Sequence, residues 1–160
     1  MQIRLAVIQD KKELTRLIKE FENFTKFLSE KQRQIRAYKD LEKMAQETAE
    51  KYLSQPEYIV VVADENGVLK GFICGEIKMR KYRIYNKEGY VEKWFIERDY
   101  QDQGIGKELF NKLEEEFKKA ECTHIGLDTH LENKKAIRIY EHMGFTKRLI
   151  TFFKHLKDLP

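Results

Sequence analysis

Cysteine and proline are scarce in this chain of 160 residues, with two of each. The two thiols, Cys74 and Cys122, are too few for a disulfide framework. They predict packed, reduced side chains and a cytoplasmic protein. His124, His130, His142 and His155 are scattered, and neither cysteine has a close partner. No zinc-ligand spacing is written, so no metal is expected. Eight glycines and two prolines exclude collagen-like and low-complexity chains. No uncharged stretch reaches the roughly 18 residues of a membrane-spanning helix, so no membrane partner is expected. The first eight residues, Met1 to Ile8, lack the basic start, apolar middle and small-residue cleavage site of a signal peptide, and read as a strand. Charge of one sign is lacking too: 31 basic and 27 acidic residues leave +4. That balance describes a densely solvated surface and predicts no nucleic-acid partner, which would need basic residues concentrated on one face.

Enough large side chains remain for a core, with 41% of residues hydrophobic and 12% aromatic. Leu14, Leu17, Ile18, Phe21, Phe24 and Leu28 recur at helical intervals and predict a helix over 11–28. Ile35, Tyr38, Leu41, Ala45, Ala49 and Tyr52 predict a second over 35–53, closed by Pro56. The period then changes. Residues 58–63 and 68–77 read as strands joined by Asn66-Gly67, a strong hairpin signal. Lys78, Arg80, Lys81, Arg83 and Lys87 read as a solvated hairpin edge before a strand over 89–96. A helix over 104–119, a strand over 124–129, a helix over 133–143 and strand material over 145–156 complete one α/β domain with a mixed sheet.

The chemistry is written between the 89–96 strand and the helix that follows. Gly104 and Gly106 stand at a helix N-terminus, where free N–H groups and the helix dipole favour an anion such as phosphate. A dinucleotide fingerprint needs a third glycine where Leu109 stands, and a P-loop needs Ser or Thr where Glu108 follows Lys107. Neither is present. Downstream, Asn133 and Tyr140 are seven residues apart and share a helix face. On the strand, alternation puts Glu92, Trp94 and Ile96 on one face and Val91, Lys93 and Phe95 on the other. A carboxylate among apolar side chains costs free energy unless it is solvated or paired, and a cleft provides either.

These residues resemble the GNAT superfamily of acetyl-CoA-dependent N-acetyltransferases. Gln101-Asp102-Gln103-Gly104-Ile105-Gly106 is similar to the family's pyrophosphate loop, Arg/Gln-x-x-Gly-x-Gly/Ala. The stretch from Asn133 through Ala136 and Tyr140 to Gly144-Phe145 is similar to its Asn-x-x-Ala-x-x-x-Tyr-x-x-x-Gly-Phe signature. The resemblance implies one acetyl-CoA-binding domain over residues 1–160, of α+β type, with a mixed, mostly antiparallel sheet flanked by about four helices. It implies acetyl-CoA as co-substrate, with Gln101, Asp102, Gln103, Gly104, Ile105, Gly106 and Lys107 around the pyrophosphate. Trp94, Phe95 and Ile96 would offer backbone groups to the pantetheine arm, and Asn133 would bind the arm or the phosphates. Tyr140 would protonate the departing thiolate, and Glu92 would take the amine's proton. The partner implied is a small-molecule or protein amine, and a homodimer is compatible with it. Lys93 beside Glu92 argues against a polyamine acceptor. Asp102 adds a negative charge to the loop, and Gln101 stands where Arg is commoner. A non-catalytic acyl-CoA-binding module would keep the same glycines and Asn133.

Overall fold

In the computed structural model, which describes residues 1–28, 37–154 and 156, the elements follow the order β1 (Gln2–Leu5), α1 (Lys11–Lys26), α2 (Leu41–Ser54), β2 (Tyr58–Glu65), β3 (Val68–Met79), β4 (Lys87–Ile96), α3 (Ile105–Lys119), β5 (His124–Leu127) and α4 (Lys134–His142). Two compact units result: Met1–Glu22 with Tyr38–Leu127, and Asn23–Ala37 with Asp128–Pro160. The first holds a five-stranded sheet in the order β1-β2-β3-β4-β5, antiparallel from β1 to β4 and parallel between β4 and β5. The mixed, mostly antiparallel α/β sheet is therefore as expected. So is the hairpin, with Asn66 at φ 55° and Gly67 at φ 85°, the left-handed pair that a tight two-residue turn requires.

Both sheet faces are covered. On one, Leu14, Leu17 and Ile18 of α1 and Ala45, Ala49 and Tyr52 of α2 pack on Val60, Val62, Phe72 and Cys74. On the other lie Leu109, Leu113 and Phe117 of α3, all within 1% of full burial. Each such leucine or phenylalanine contributes about 1.5–3 kcal/mol. Phe117 needs a slot in the sheet, and glycine makes it: a Cβ on Gly75 or Gly89 would lie 2.3 or 2.5 Å from its ring. Arg4 pins β1, with its guanidinium 2.7 Å from both Asp10 and Asp64. Those contacts hold both carboxyls below the usual carboxylate range.

The second helix and the last stretch differ from the sequence expectation. The second helix begins at Leu41, because Asp40 caps it by accepting from the Lys43 N–H at 2.9 Å. Tyr38 precedes that cap and donates its hydroxyl to Glu22 at 2.7 Å, and Ile35 lies outside the described residues. The strand expected over 145–156 is not formed by residues 145–154 or 156, where Leu149, Ile150 and Phe152 are exposed. Strand-type composition marks a side chain that fits a pleated surface, but it supplies no partner for ladder hydrogen bonds.

Candidate active site

In the first unit, the start of α3 meets the end of β4. Gly104 is the N-cap, at φ 84°, and no side chain caps the helix. The first-turn donors therefore receive no side-chain acceptor from their own N-cap, an arrangement that suits an outside anion. A Cβ on Gly104 would meet nothing within 4 Å, whereas one on Gly106 would lie 3.0 Å from Ile96 Cδ1 and 3.6 Å from the Trp94 ring. The two glycines thus divide their work: Gly104 turns the chain beside open space, and Gly106 lets α3 close on β4. Trp94 stacks on Phe110 of α3 at 5.5 Å.

The loop before α3 is braced by its own side chains. Gln101 donates its amide to the Ile96 carbonyl at 3.0 Å, and Gln103 donates to the Asp99 carbonyl at 2.9 Å. Asp102 is exposed in a left-handed turn at φ 60°, a conformation Asp tolerates better than most residues. Lys107 is exposed and Ile105 is buried. Gln101 and Gln103 therefore shape the loop, and the backbone N–H groups at the start of α3 are of the kind that favour an anion.

β5 pairs with β4 only from Glu88 to Val91. Beyond that point Glu92 to Ile96 run beside β3, and no strand among the described residues lies on their other edge. The same stretch contains a β-bulge. Cys74 pairs with Lys93 and Gly75 with Val91, so Glu92 is the extra residue. The insertion reverses the alternation and corrects the expected faces. Val91, opposite Gly75, shares the α3 face with Trp94 and Ile96, while Glu92 joins Lys93 and Phe95 on the face covered by α1 and α2.

The neighbours of Glu92 are accordingly polar, not Trp94 and Ile96. Lys78 Nζ lies 3.4 Å from Glu92 and 3.6 Å from Glu76, and 3.5 Å over the Tyr90 ring. Burial pushes the Glu92 carboxyl up, the adjoining Glu76 carboxylate adds to this, and Lys78 opposes it. Lys93 plays no part in this cluster. Its ammonium is 2.5 Å from Glu22 and 4.8 Å over the Phe21 ring. Sequence reasoning missed Glu76 and the role of Lys78. Their i, i+2 spacing on β3 was visible, but which residues of β4 face them depends on the bulge.

In the second unit, α4 carries the other motif. Asn133 is its N-cap, accepting the Ala136 N–H at 3.3 Å. At the other end Gly144 has φ 90°, its N–H donates to the Glu141 carbonyl, and the Phe145 N–H donates to the Tyr140 carbonyl at 3.0 Å. These bonds, with the Tyr140–Phe145 ring contact at 6.1 Å, make a Schellman helix end with its hydrophobic partner pair. The Gly-Phe of the motif is thus a helix stop. The Tyr140 phenol is half-buried, and burial, with Asp128, pushes it up to about 12. Asn133 and Tyr140 belong to this second unit, and the other expected site residues to the first.

Comparison with known proteins gives a consistent picture. Residues 17–145 match the model of the acetyltransferase (GNAT) family. N-alpha-acetyltransferase 30 of Saccharomyces cerevisiae is 30% identical over 110 residues, which are 67% of this chain and 62% of that protein. The chain therefore spans less than two thirds of that relative's length. The ribosomal protein bS18-alanine N-acetyltransferase of Escherichia coli K12 is 26% identical over 93 residues, 58% of each chain. Among solved structures, a mutant protein from Bacillus halodurans superposes with a TM-score of 0.83 at 19% identity, covering 98% of this chain and 100% of that one. An aminoglycoside N-acetyltransferase in complex with CoA superposes with a TM-score of 0.76 at 16% identity, covering 98% and 95%. Those two likenesses are likenesses of fold.

Proposed function

This chain belongs to the acetyltransferase (GNAT) family, and on that premise we propose that it is an N-acetyltransferase, one domain over residues 1–160 that transfers acetyl from acetyl-CoA directly to an amine in a ternary complex. The observation that carries the reading is the meeting of an uncapped helix N-terminus, at Gly104, with the free-running end of β4. The residues fit the co-substrate: the first-turn amides of α3 suit a pyrophosphate, and the open space at Gly104 leaves room for it. The outer edge of β4 beyond Val91 suits an extended, amide-bearing arm. When bound, acetyl-CoA supplies an acyl group activated as a thioester.

The chain's own residues manage protons. A primary amine with a pKa of about 10.4 is almost wholly protonated at pH 7 and has no lone pair to attack with. Glu92 takes that proton, its carboxyl raised by burial toward the working range of a base. Tyr140, held protonated by a pKa of about 12, gives a proton to the departing sulfur. The names of the relatives favour a protein α-amine as acceptor. Such an amine has a pKa of about 7.7–8.0 and asks less of the base. The two free thiols, Cys74 and Cys122, support a reducing compartment.

The test is CoA release, followed with a thiol reagent, over a panel of peptide α-amines, aminoglycosides and small amines. Turnover with a peptide α-amine is expected. For Glu92→Gln, kcat/KM should fall most near neutral pH and recover as pH rises and more acceptor is already free amine. Acetyl-CoA binding without turnover on any amine would refute the reading and favour a non-catalytic acyl-CoA-binding module.

A further inference from the structure

We infer that Glu76 and Lys78 are positioning residues for Glu92, a second carboxylate and an ammonium whose opposing charges tune it as proton acceptor. This rests on the assignment of Glu92 as the base. The β-bulge brings Glu92 to the face that Glu76 and Lys78 occupy on β3. There one ammonium serves both acids, 3.4 Å from Glu92 and 3.6 Å from Glu76. All three side chains are 25–29% exposed, so their charges act on one another through less than the full dielectric of water.

Of the other charged and titratable groups nearby, most are otherwise engaged or neutral, and Lys51 is the exception. Tyr90 lies under Lys78, and Tyr58 pairs with Glu76 across β2 and β3. From α2, Lys51 sits 4.7 Å over the Tyr58 ring, and Tyr52 and Cys74 are buried with their protons held by burial. From α1, Glu22 is taken by Lys93. With the Lys51 ammonium as an outlying cation that also acts on both acids, the cluster itself, two carboxylates and one ammonium, carries a net charge of −1. That charge is matched to one incoming ammonium. Once Glu92 has taken the amine's proton, Glu76 and Lys78 remain as a neutral pair. Without Lys78 the two acids would repel and one would stay protonated at rest; without Glu76 the ammonium would hold Glu92 ionised and weaken it as a base.

The experiment titrates the protein labelled with carbon-13 at glutamate carboxyls, with the Glu92 signal identified by its loss in Glu92→Gln, and measures kcat/KM against pH in the same variants. Glu76→Gln should move the Glu92 midpoint down and Lys78→Met should move it up, each by about one pH unit, the low end of the range for a charge at this distance. Lys78→Arg should restore the wild-type midpoint. Circular dichroism checks that each variant is folded. The acid limb of kcat/KM should follow the same two directions. Unmoved Glu92 midpoints, with Glu92→Gln still impaired, overturn the tuning role and leave the base assignment intact. Midpoints that move while the acid limb of kcat/KM stays fixed overturn the base assignment and the tuning role with it.

Discussion

Lys93→Met separates two readings of a charge that sits next to the proposed base. In the structure its ammonium belongs to Glu22, 2.5 Å away, whose side chain is only 4% exposed, while that of Lys93 is 18% exposed. Removing one partner of a buried ion pair costs about 3–5 kcal/mol, because the charge left behind has lost both water and counter-ion. Glu22 keeps the Tyr38 hydroxyl at 2.7 Å, so the low end applies, about 3 kcal/mol. For a chain of this size each kcal/mol moves the melting temperature by about 2–4 °C. The expected loss is therefore about 6–12 °C at pH 7, read by thermal denaturation. Lys11→Met is the control. Its pair with Glu50 is 41% and 63% exposed and should cost under about 1 kcal/mol. The double variant Glu22→Gln/Lys93→Met removes both charges and should recover at least half of the loss. A Lys93→Met protein that melts with the Lys11→Met control would refute the reasoning. So would a double variant whose loss equals the sum of its singles. A raised KM for the amine at unchanged stability would return Lys93 to the acceptor site.

Tyr140→Phe should lower kcat by about 10²–10⁴-fold, the range for one acid–base group, with little change in the KM for acetyl-CoA. The wild-type rate should show no loss from Tyr140 ionisation until pH approaches about 12. An unchanged kcat in a turnover limited by chemistry would leave Tyr140 as a helix-end partner of Phe145 alone. Gly106→Val should press on Ile96 and cost about 1–3 kcal/mol of overpacking, so its melting temperature and its affinity for acetyl-CoA by calorimetry should fall together. Gly104→Ala meets no neighbour and should cost only the left-handed backbone strain, about 1–2 kcal/mol. A Gly106→Val protein with a wild-type melting temperature would refute the division of work between the two glycines.

Periodicity and turn chemistry made most of the fold legible. Leu14, Leu17 and Ile18 mark the buried stripe of α1, and Asn66-Gly67 marks a turn whose dihedrals only such residues adopt readily. Helix starts were less legible, because Asp40 competes with an apolar period that runs on through Tyr38 and Ile35. The 145–156 stretch misled because Ile150, Phe152 and Phe153 record a liking for strands and no partner. At the candidate site, Gly104, Gly106 and Glu92 were readable as residue types, but what each touches was not. Gly106 faces Ile96 through tertiary packing, and the surroundings of Glu92 depend on a register that no local pattern announces.

The extra residue at Glu92 works like a change of reading frame within the sheet. Before it, the odd positions Gly89 and Val91 look toward α3; after it, the even positions Trp94 and Ile96 do. Shortening β4 by one residue anywhere between these stretches would cancel the shift. With Glu92 itself omitted, Val91 would stay opposite Gly75 and Lys93 opposite Cys74, now as neighbours in an unbroken ladder, with Gly89 still under the Phe117 ring and Trp94 still on Phe110. Both halves of the strand would keep their faces, and the sheet would lose only the acid and the local kink that sets it beside Lys78. The inserted residue is thus dispensable to the pairing of the sheet and is also the one that carries the acid, so the extra length of the strand serves the placement of Glu92 and not the fold.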